Sequence, residues 1–270
     1  MPELPDVEGF RRTLRRATGR PVDRVDVLDQ GVLRGLDADE LRDALVGARL
    51  CVPRRHGKWL IAAVRSGERH DSGEPSVLFH FGMTGSLSWH DAHEQPPPAR
   101  HRHDRVVMVT TGGELRYRDM RKLRGIHLAR SDADVDEMLS DIGPDAARIT
   151  PAGLSRPLRH TDRRLKPALL DQHLIAGLGN LLVDEILWRA RLRPDASASS
   201  LSDGDWRRLH RRMRTVLARS CAVGRVPDHR SWLTGRRDDP DGVCPRCEST
   251  LEHTQRGGRT TVLCPHCQPA

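Results

Sequence analysis

The sequence has no apolar run approaching the ~20 residues that a membrane-spanning helix requires, which excludes an integral membrane protein. Its opening, MPELPDVEGF, carries three acids and no basic stretch ahead of an apolar core, so no secretory signal is expected. Cysteine is scarce: six in 270 residues are too few for a disulfide scaffold. These absences lead us to expect a soluble protein of the cytoplasm. Lysine is scarcer still. Lys58, Lys122 and Lys166 are the only lysines among 45 basic residues, the rest being arginine. Arginine-biased coding explains most of that excess. It also sets the retained lysines apart, because a lysine ammonium is a compact charge whose pKa shifts readily.

Hydrophobic residues make up 37 % of the chain, enough for real cores and too many for a disordered polymer. At roughly 150 residues per domain, the length suggests about two domains. A formal charge of +8 is compatible with nucleic acid, but charge alone argues only for non-specific attraction.

Residues 5–18 read as a helix, with Pro5 in its first turn and Val7, Phe10, Leu14 and Ala17 at helical spacing. Short apolar runs of strand character follow: Val22–Leu28, Trp59–Val64, Val77–Phe81, Val106–Thr110 and Leu115–Arg118. The last two flank a hairpin turn at Thr111-Gly112-Gly113. The segment from His90 to His103 reads as an exposed loop whose irregularly spaced histidines do not match a metal site. Character changes near residue 131, where an acidic stretch leads into a linker turn at 141–145. From there to about 220 the pattern is helical. Leu181–Trp188 is apolar nearly all round, as in a buried helix, and Trp206, Leu209, Met213, Val216 and Leu217 give an amphipathic one. The stretch from Cys221 to Gly242 is irregular and charged, and no internal repeat is present.

Three motifs carry chemistry. Cys244-Pro-Arg-Cys247 and Cys264-Pro-His-Cys267 are separated by sixteen residues, the spacing of a closed four-cysteine zinc site with no open position for catalysis. Between them, Arg256-Gly257-Gly258-Arg259 resembles a hairpin turn bearing two arginines. Second, Gly177-Leu178-Gly179-Asn180 permits a tight turn between helices. The Asn180 side chain and the free N–H groups of the helix it opens can hold a phosphate. Third, Met1-Pro2-Glu3 would expose a secondary amine beside a carboxylate once the methionine is removed. Such an amine titrates near neutrality, and the following helix favours its neutral, nucleophilic form. Each motif alone also has a plain structural reading: a stabilising ribbon, a helix connection, or ordinary methionine processing.

Taken in order, PELPDVE, HGKWL, FGMTGSL, RYRDMRKL, LKPALLDQHLIAGLGN and a four-cysteine finger ending in CPHCQ resemble one family. It is the formamidopyrimidine-DNA glycosylase / endonuclease VIII family of base-excision repair, and the resemblance runs from Pro2 to Gln268. It implies an α+β fold: an N-terminal β-sandwich with a leading helix over 1–130, then a linker over 131–149. A helical helix–two-turn–helix domain over 150–235 and a zinc finger over 236–270, holding one structural Zn2+, complete it. The implied partner is damaged double-stranded DNA bound in a cleft, by a monomer associated with the nucleoid.

By similarity, Pro2 attacks C1′ of the damaged nucleotide and Glu3 supplies the proton that helps open the sugar. The resulting Schiff base permits β- and δ-elimination, with no metal or redox cofactor in the chemistry. Lys58 matches a phosphate-contacting lysine in a strand turn, Asn180 and Arg259 match phosphate ligands, and Lys166 matches a lysine near the lesion pocket. Met83 matches a methionine that fills the void left by the flipped base. Arg121 aligns with an arginine facing the orphaned base, and Leu123 stands where an aromatic wedge is usual. Asp6 replaces the more common glutamate and shortens that carboxylate. The stretch from Ser220 to Cys244 is short for members dedicated to 8-oxoguanine. That implies an open pocket for oxidised pyrimidines, ring-opened purines or bulky adducts. A non-catalytic damage-binding relative and a zinc-ribbon protein of the translation apparatus are the alternatives. Cys51 and Cys221 are expected to be buried small hydrophobes.

Overall fold

The computed structural model describes residues 1–67, 74–94, 98–256 and 258–269, which cluster into two compact units. The first comprises 1–2 and 7–141; the second comprises 3–6 and 142–270.

The first unit opens with helix α1 (Leu4–Arg15), followed by strand β1 (Val22–Val27), helix α2 (Ala38–Leu45), and strands β2 (Arg49–Leu50), β3 (Arg54–His56), β4 (Trp59–Arg65), β5 (Ser76–His80), β6 (Ser86–Asp91), β7 (Asp104–Thr110), β8 (Gly113–Arg118) and β9 (Gly125–Ala129). One antiparallel sheet runs β1-β7-β8-β6; the other runs β2-β4-β5-β9, with β3 also paired to β4. The period-2 pattern explains the sandwich. Leu60, Ala62 and Val64 alternate inward from β4 and meet Val106, Met108, Leu115 and Tyr117 of the other sheet in one core. Burying a side chain such as Leu60 is worth roughly 1.5–3 kcal/mol. Val7 and Leu14 of α1 complete that core. In the β7–β8 turn, Thr110 pairs with Gly113, whose φ of +146° leaves an added Cβ 2.1 Å from the His90 carbonyl oxygen. Only glycine fits there.

The expected strands are present within a residue or two. The segment expected to be a linker holds helix α3 (Asp132–Leu139), capped by the Ser131 hydroxyl, which accepts from Asp134 N–H. The histidine-rich loop begins inside β6, and its residues 95–97 lie outside the described set.

The second unit contains helices α4 (Pro151–Ser155), α5 (Leu165–Leu170), α6 (Asn180–Ala190) and α7 (Asp203–Val223), then strands β10 (Glu252–Arg256) and β11 (Arg259–Leu263). Helix α7 starts with a capping box between Ser202 and Asp205 and stops at Gly224, left-handed at φ +74°. Its apolar stripe, Trp206, Leu209, Met213, Val216 and Leu217, packs with Leu182, Val183, Ile186 and Leu187 of α6. Leu4 belongs to this core too, and Leu4 N–H donates to the Gly177 carbonyl at 3.0 Å. The first turn of the chain is therefore built into the second unit. Cys221 and Cys51 are half-buried rather than fully interior.

Candidate active site and nucleic-acid interface

The N-terminus of α6 is the centre of the arrangement. A helix start leaves unsatisfied N–H groups and a positive dipole end. Glu3, almost fully buried, supplies the carboxylate: Oε1 accepts from Leu181 N–H at 2.8 Å and Oε2 from Leu182 N–H at 3.0 Å. The two glycines of the preceding turn make room. Gly177 has φ +107°, and a Cβ there would lie 2.6 Å from Leu4 Cδ1. A Cβ on Gly179 would lie 2.2 Å from the Glu3 carboxyl carbon. Gln172 holds the turn, accepting from Gly177 N–H and donating to the Leu170 and Leu178 carbonyls. The expectation that the free N–H groups of this helix hold a phosphate is thus corrected: two of them are taken by Glu3, because the anion that fits is supplied by the chain itself. Asp6 accepts from Glu3 N–H at 2.8 Å, and burial raises its carboxyl above the usual range. Pro2 directly precedes this anchored segment in the chain.

Asn180 is the first residue of α6. Its Nδ2 donates to the Thr260 carbonyl at 2.9 Å, while its buried Oδ1 has no partner among the described residues. The same Thr260 carbonyl accepts from Lys166 Nζ at 3.0 Å and from Arg237 Nη2 at 2.8 Å. Three donors on three segments thereby fix the β10–β11 hairpin, at whose start of β11 Arg259 is exposed. Gly257 of the hairpin turn lies outside the described residues.

Lys166 corrects a second expectation. It has no exposed surface and also binds Asp184 Oδ1 at 2.6 Å and the Thr261 hydroxyl at 2.8 Å. Its ammonium is committed to these partners in the DNA-free chain, where it anchors the hairpin. Asp184 is shared with Arg237, so the buried charges are paired, as they must be.

In the first unit, Lys58 sits half-buried at the tip of the β3–β4 hairpin, beside Gly57 at φ +55°. Met83 and Leu123 are exposed apolar side chains, at 41 % and 50 %. The Arg121 guanidinium lies 2.9 Å from the Met83 sulfur, so these two are brought together. Arg121 N–H is held by the Thr84 hydroxyl and by Asp119. Lys122 adopts a left-handed φ of +51°, held by an ion pair to Asp29 at 3.0 Å. That turn projects its neighbours on both sides outward. Thr84, Asp119, Asp29, Asp184 and Arg237 were not singled out from the sequence. Thr84, Asp119 and Gln172 lie inside the motifs FGMTGSL, RYRDMRKL and LKPALLDQHLIAGLGN, where nothing marks their roles.

The four sulfurs of Cys244, Cys247, Cys264 and Cys267 all lie within 4.8 Å of one another. Zn–S bonds of ~2.3 Å give a tetrahedron with edges of about 3.8 Å, so the set can hold one zinc ion. Trp188 Nε1–H and Arg246 N–H point at Cys244 Sγ from 3.3 and 3.4 Å, and Cys267 N–H points at Cys264 Sγ from 3.3 Å. Such donors stabilise thiolates.

Family models for the formamidopyrimidine-DNA glycosylase N-terminal domain, its H2TH domain, and the zinc finger found in FPG and IleRS match residues 1–126, 142–228 and 242–270. A formamidopyrimidine-DNA glycosylase of Bacillus cereus is 34 % identical, over 100 % of this chain and 99 % of its own length. The chain belongs to the formamidopyrimidine-DNA glycosylase family. Another glycosylase of that name, from Heliobacterium modesticaldum, is 34 % identical over 99 % of this chain and all of its own. The fold matches a Lactococcus lactis FPG mutant in complex with Fapy-dG DNA, with a TM-score of 0.85 at 26 % identity and full coverage of both chains. A wild-type L. lactis Fpg complex with DNA containing an oxidised pyrimidine also has a TM-score of 0.85. The glycosylase family models over 1–126 and 142–228 remove the translation-apparatus alternative, which rested on ribbon and helical segments alone.

Proposed function

We propose that this glycosylase-family chain is a bifunctional DNA glycosylase and AP lyase acting on damaged double-stranded DNA. Its substrates are ring-opened purines and oxidised pyrimidines, the lesion chemistries held by the L. lactis relatives. With Met1 removed, the Pro2 nitrogen attacks C1′, the C1′–N bond breaks and the base departs. The departing base takes a proton from water, and as the C1′–O4′ bond opens the proton shed by the Pro2 nitrogen passes through the Glu3 carboxylate to O4′, leaving an iminium that joins Pro2 to the sugar. That cation acidifies the C2′ proton. Its loss expels the 3′ phosphate, and a second elimination expels the 5′ phosphate.

The observation that carries the reading is the double hydrogen bond from the α6 N-terminus to Glu3. A carboxylate buried among apolar neighbours needs partners. Here the partnership fixes residue 3 and so holds the residue-2 nitrogen at one place. General acid work requires that fixed geometry first. Lys58, Asn180 and Arg259 are proposed as phosphate contacts, Met83 and Leu123 as apolar fillers of the flipped-out base's space, and Arg121 as the group facing the unpaired base.

Pro2→Gly should keep affinity for a duplex bearing an abasic-site analogue and lose most base removal. Undiminished turnover by that variant refutes the nucleophile. Asn180→Ala and Arg259→Ala should each weaken binding to all duplexes and lower its salt dependence by about one phosphate's worth.

A further inference from the structure

A cavity of about 450 Å³ lies between α4 and the first turns of α7, within the second unit and sharing no residue with the groups that hold Glu3 or Thr260. Arg156, Arg159 and Arg207 line it, and its one carboxylate, Asp203, is committed to an ion pair with Arg159. Arg156 and Arg207 have no carboxylate partner among the described residues. Two polar groups in its wall are also unspent. Ser155 is 5 % exposed, and its hydroxyl has no hydrogen-bond partner among the described residues. The Trp206 indole N–H is buried without a partner. A buried donor left unpaired, as the Trp206 indole N–H is, is uncommon and costs free energy, and the Ser155 hydroxyl beside it is unpaired among the described residues and reachable by solvent. Unpaired guanidinium forks match the geometry of phosphate oxygens.

We propose that this cavity is a phosphate-group site, with Arg156, Arg207 and the Ser155 hydroxyl as donors and the Trp206 ring as its wall. Beyond its mouth, Arg207, Arg211 and Arg214 stand exposed at helical spacing along α7, which carries no acid after Asp205. They span about 10 Å at ~1.5 Å per residue. Phosphates of a duplex strand advance ~3.4 Å each along the axis, so such a row meets several of them. The row favours a phosphate carried by a nucleic-acid backbone over an isolated anion. The occupant is then a second DNA segment, bound apart from the lesion.

The full chain, first saturated with a short duplex carrying an abasic-site analogue, is titrated with a labelled undamaged duplex. Inorganic phosphate and a mononucleotide are titrated separately against the protein alone, which reads the cavity without reference to the catalytic reading. The wild type should capture the second duplex with an affinity that falls steeply with salt. Arg156→Glu/Arg207→Glu should weaken that capture at least about tenfold and cut the log–log salt slope by about two, while base excision on short duplexes stays within about twofold. Ser155→Ala should weaken it less. Mononucleotide binding that the double variant loses, without duplex capture, supports the phosphate site with a small-molecule source. Absence of both, capture that survives charge reversal, or binding of an acidic peptide in place of any phosphate compound overturns the proposal. If the first duplex itself fails to bind, it is the glycosylase reading that fails.

Discussion

Gly179→Ala is the substitution that most sharply probes the link between fold and chemistry. The new methyl carbon would sit 2.2, 2.4 and 2.5 Å from Cδ, Cγ and Oε1 of Glu3, inside any real contact distance. Glu3 must swing away from the α6 N-terminus, giving up hydrogen bonds of 2.8 and 3.0 Å to Leu181 and Leu182. Hydrogen bonds to a charged group are worth ~1.5–3 kcal/mol each, so complete loss costs about 3–6 kcal/mol. Partial relaxation and water will recover some of that, leaving roughly 3 kcal/mol of lost positioning, or about 10²-fold in rate at 1.36 kcal/mol per decade. Gly179 has no side chain to contact DNA, and the α6–α7 core is untouched. The assay is single-turnover excision and strand cleavage on a duplex with one ring-opened purine, beside affinity for an abasic-analogue duplex. We expect base removal to fall about 10²-fold with affinity changed only a few-fold. Wild-type excision by a folded Gly179→Ala protein would refute the reasoning, because it would mean that the Glu3 clamp is dispensable.

Other consequences follow from the same contacts. Lys166→Met leaves the buried Asp184 with one cation instead of two and removes one of three donors to Thr260. A loss of about 3 kcal/mol in stability is expected, with weakened duplex binding, measured by denaturant titration and fluorescence anisotropy. Stripping zinc with a strong chelator should release one ion per chain by colorimetric assay and unfold the finger. Trp188 fluorescence, 3.3 Å from Cys244 Sγ, should report it, and Cys264→Ser should bind no zinc. Burial lowers His80 and His127, flanking Trp59, to about 4. The unfolded chain takes up these protons below about pH 6.5 and the folded one only near pH 4, so stability falls as pH drops through that window. The loss is roughly 3 kcal/mol for the two rings together, after discounting for partial solvation. His127→Gln should flatten the dependence seen in denaturation midpoints between pH 7 and 4.5, and an unchanged slope contradicts it.

Much of this was legible because the chemistry is local in sequence. Zinc ligation forces paired knuckles, a sandwich strand forces alternation, and a tight approach forces Gly177 and Gly179 into a short motif. What escaped was nonlocal. Glu3 meets Leu181 across 178 positions, and Lys166 meets Thr261 across 95. No periodicity signals that a helix start will be capped by the chain's own beginning, or that a lysine will be fully buried. Helix α3 escaped for another reason. It buries only Val135, so it shows no apolar stripe, although Ser131 and Asp134 carry a capping signature.

The central claim is that the residue-2 amine, held by the Glu3 clamp, forms a Schiff base with the damaged sugar. Borohydride trapping on a duplex with one abasic site, followed by intact-mass and peptide analysis, tests it most directly. The account predicts a covalent DNA adduct on Pro2 of a chain lacking Met1, absent from Pro2→Gly. Retained DNA binding with no adduct, in protein whose Met1 is already gone, would contradict it and make the chain a binder of damaged DNA rather than a lyase.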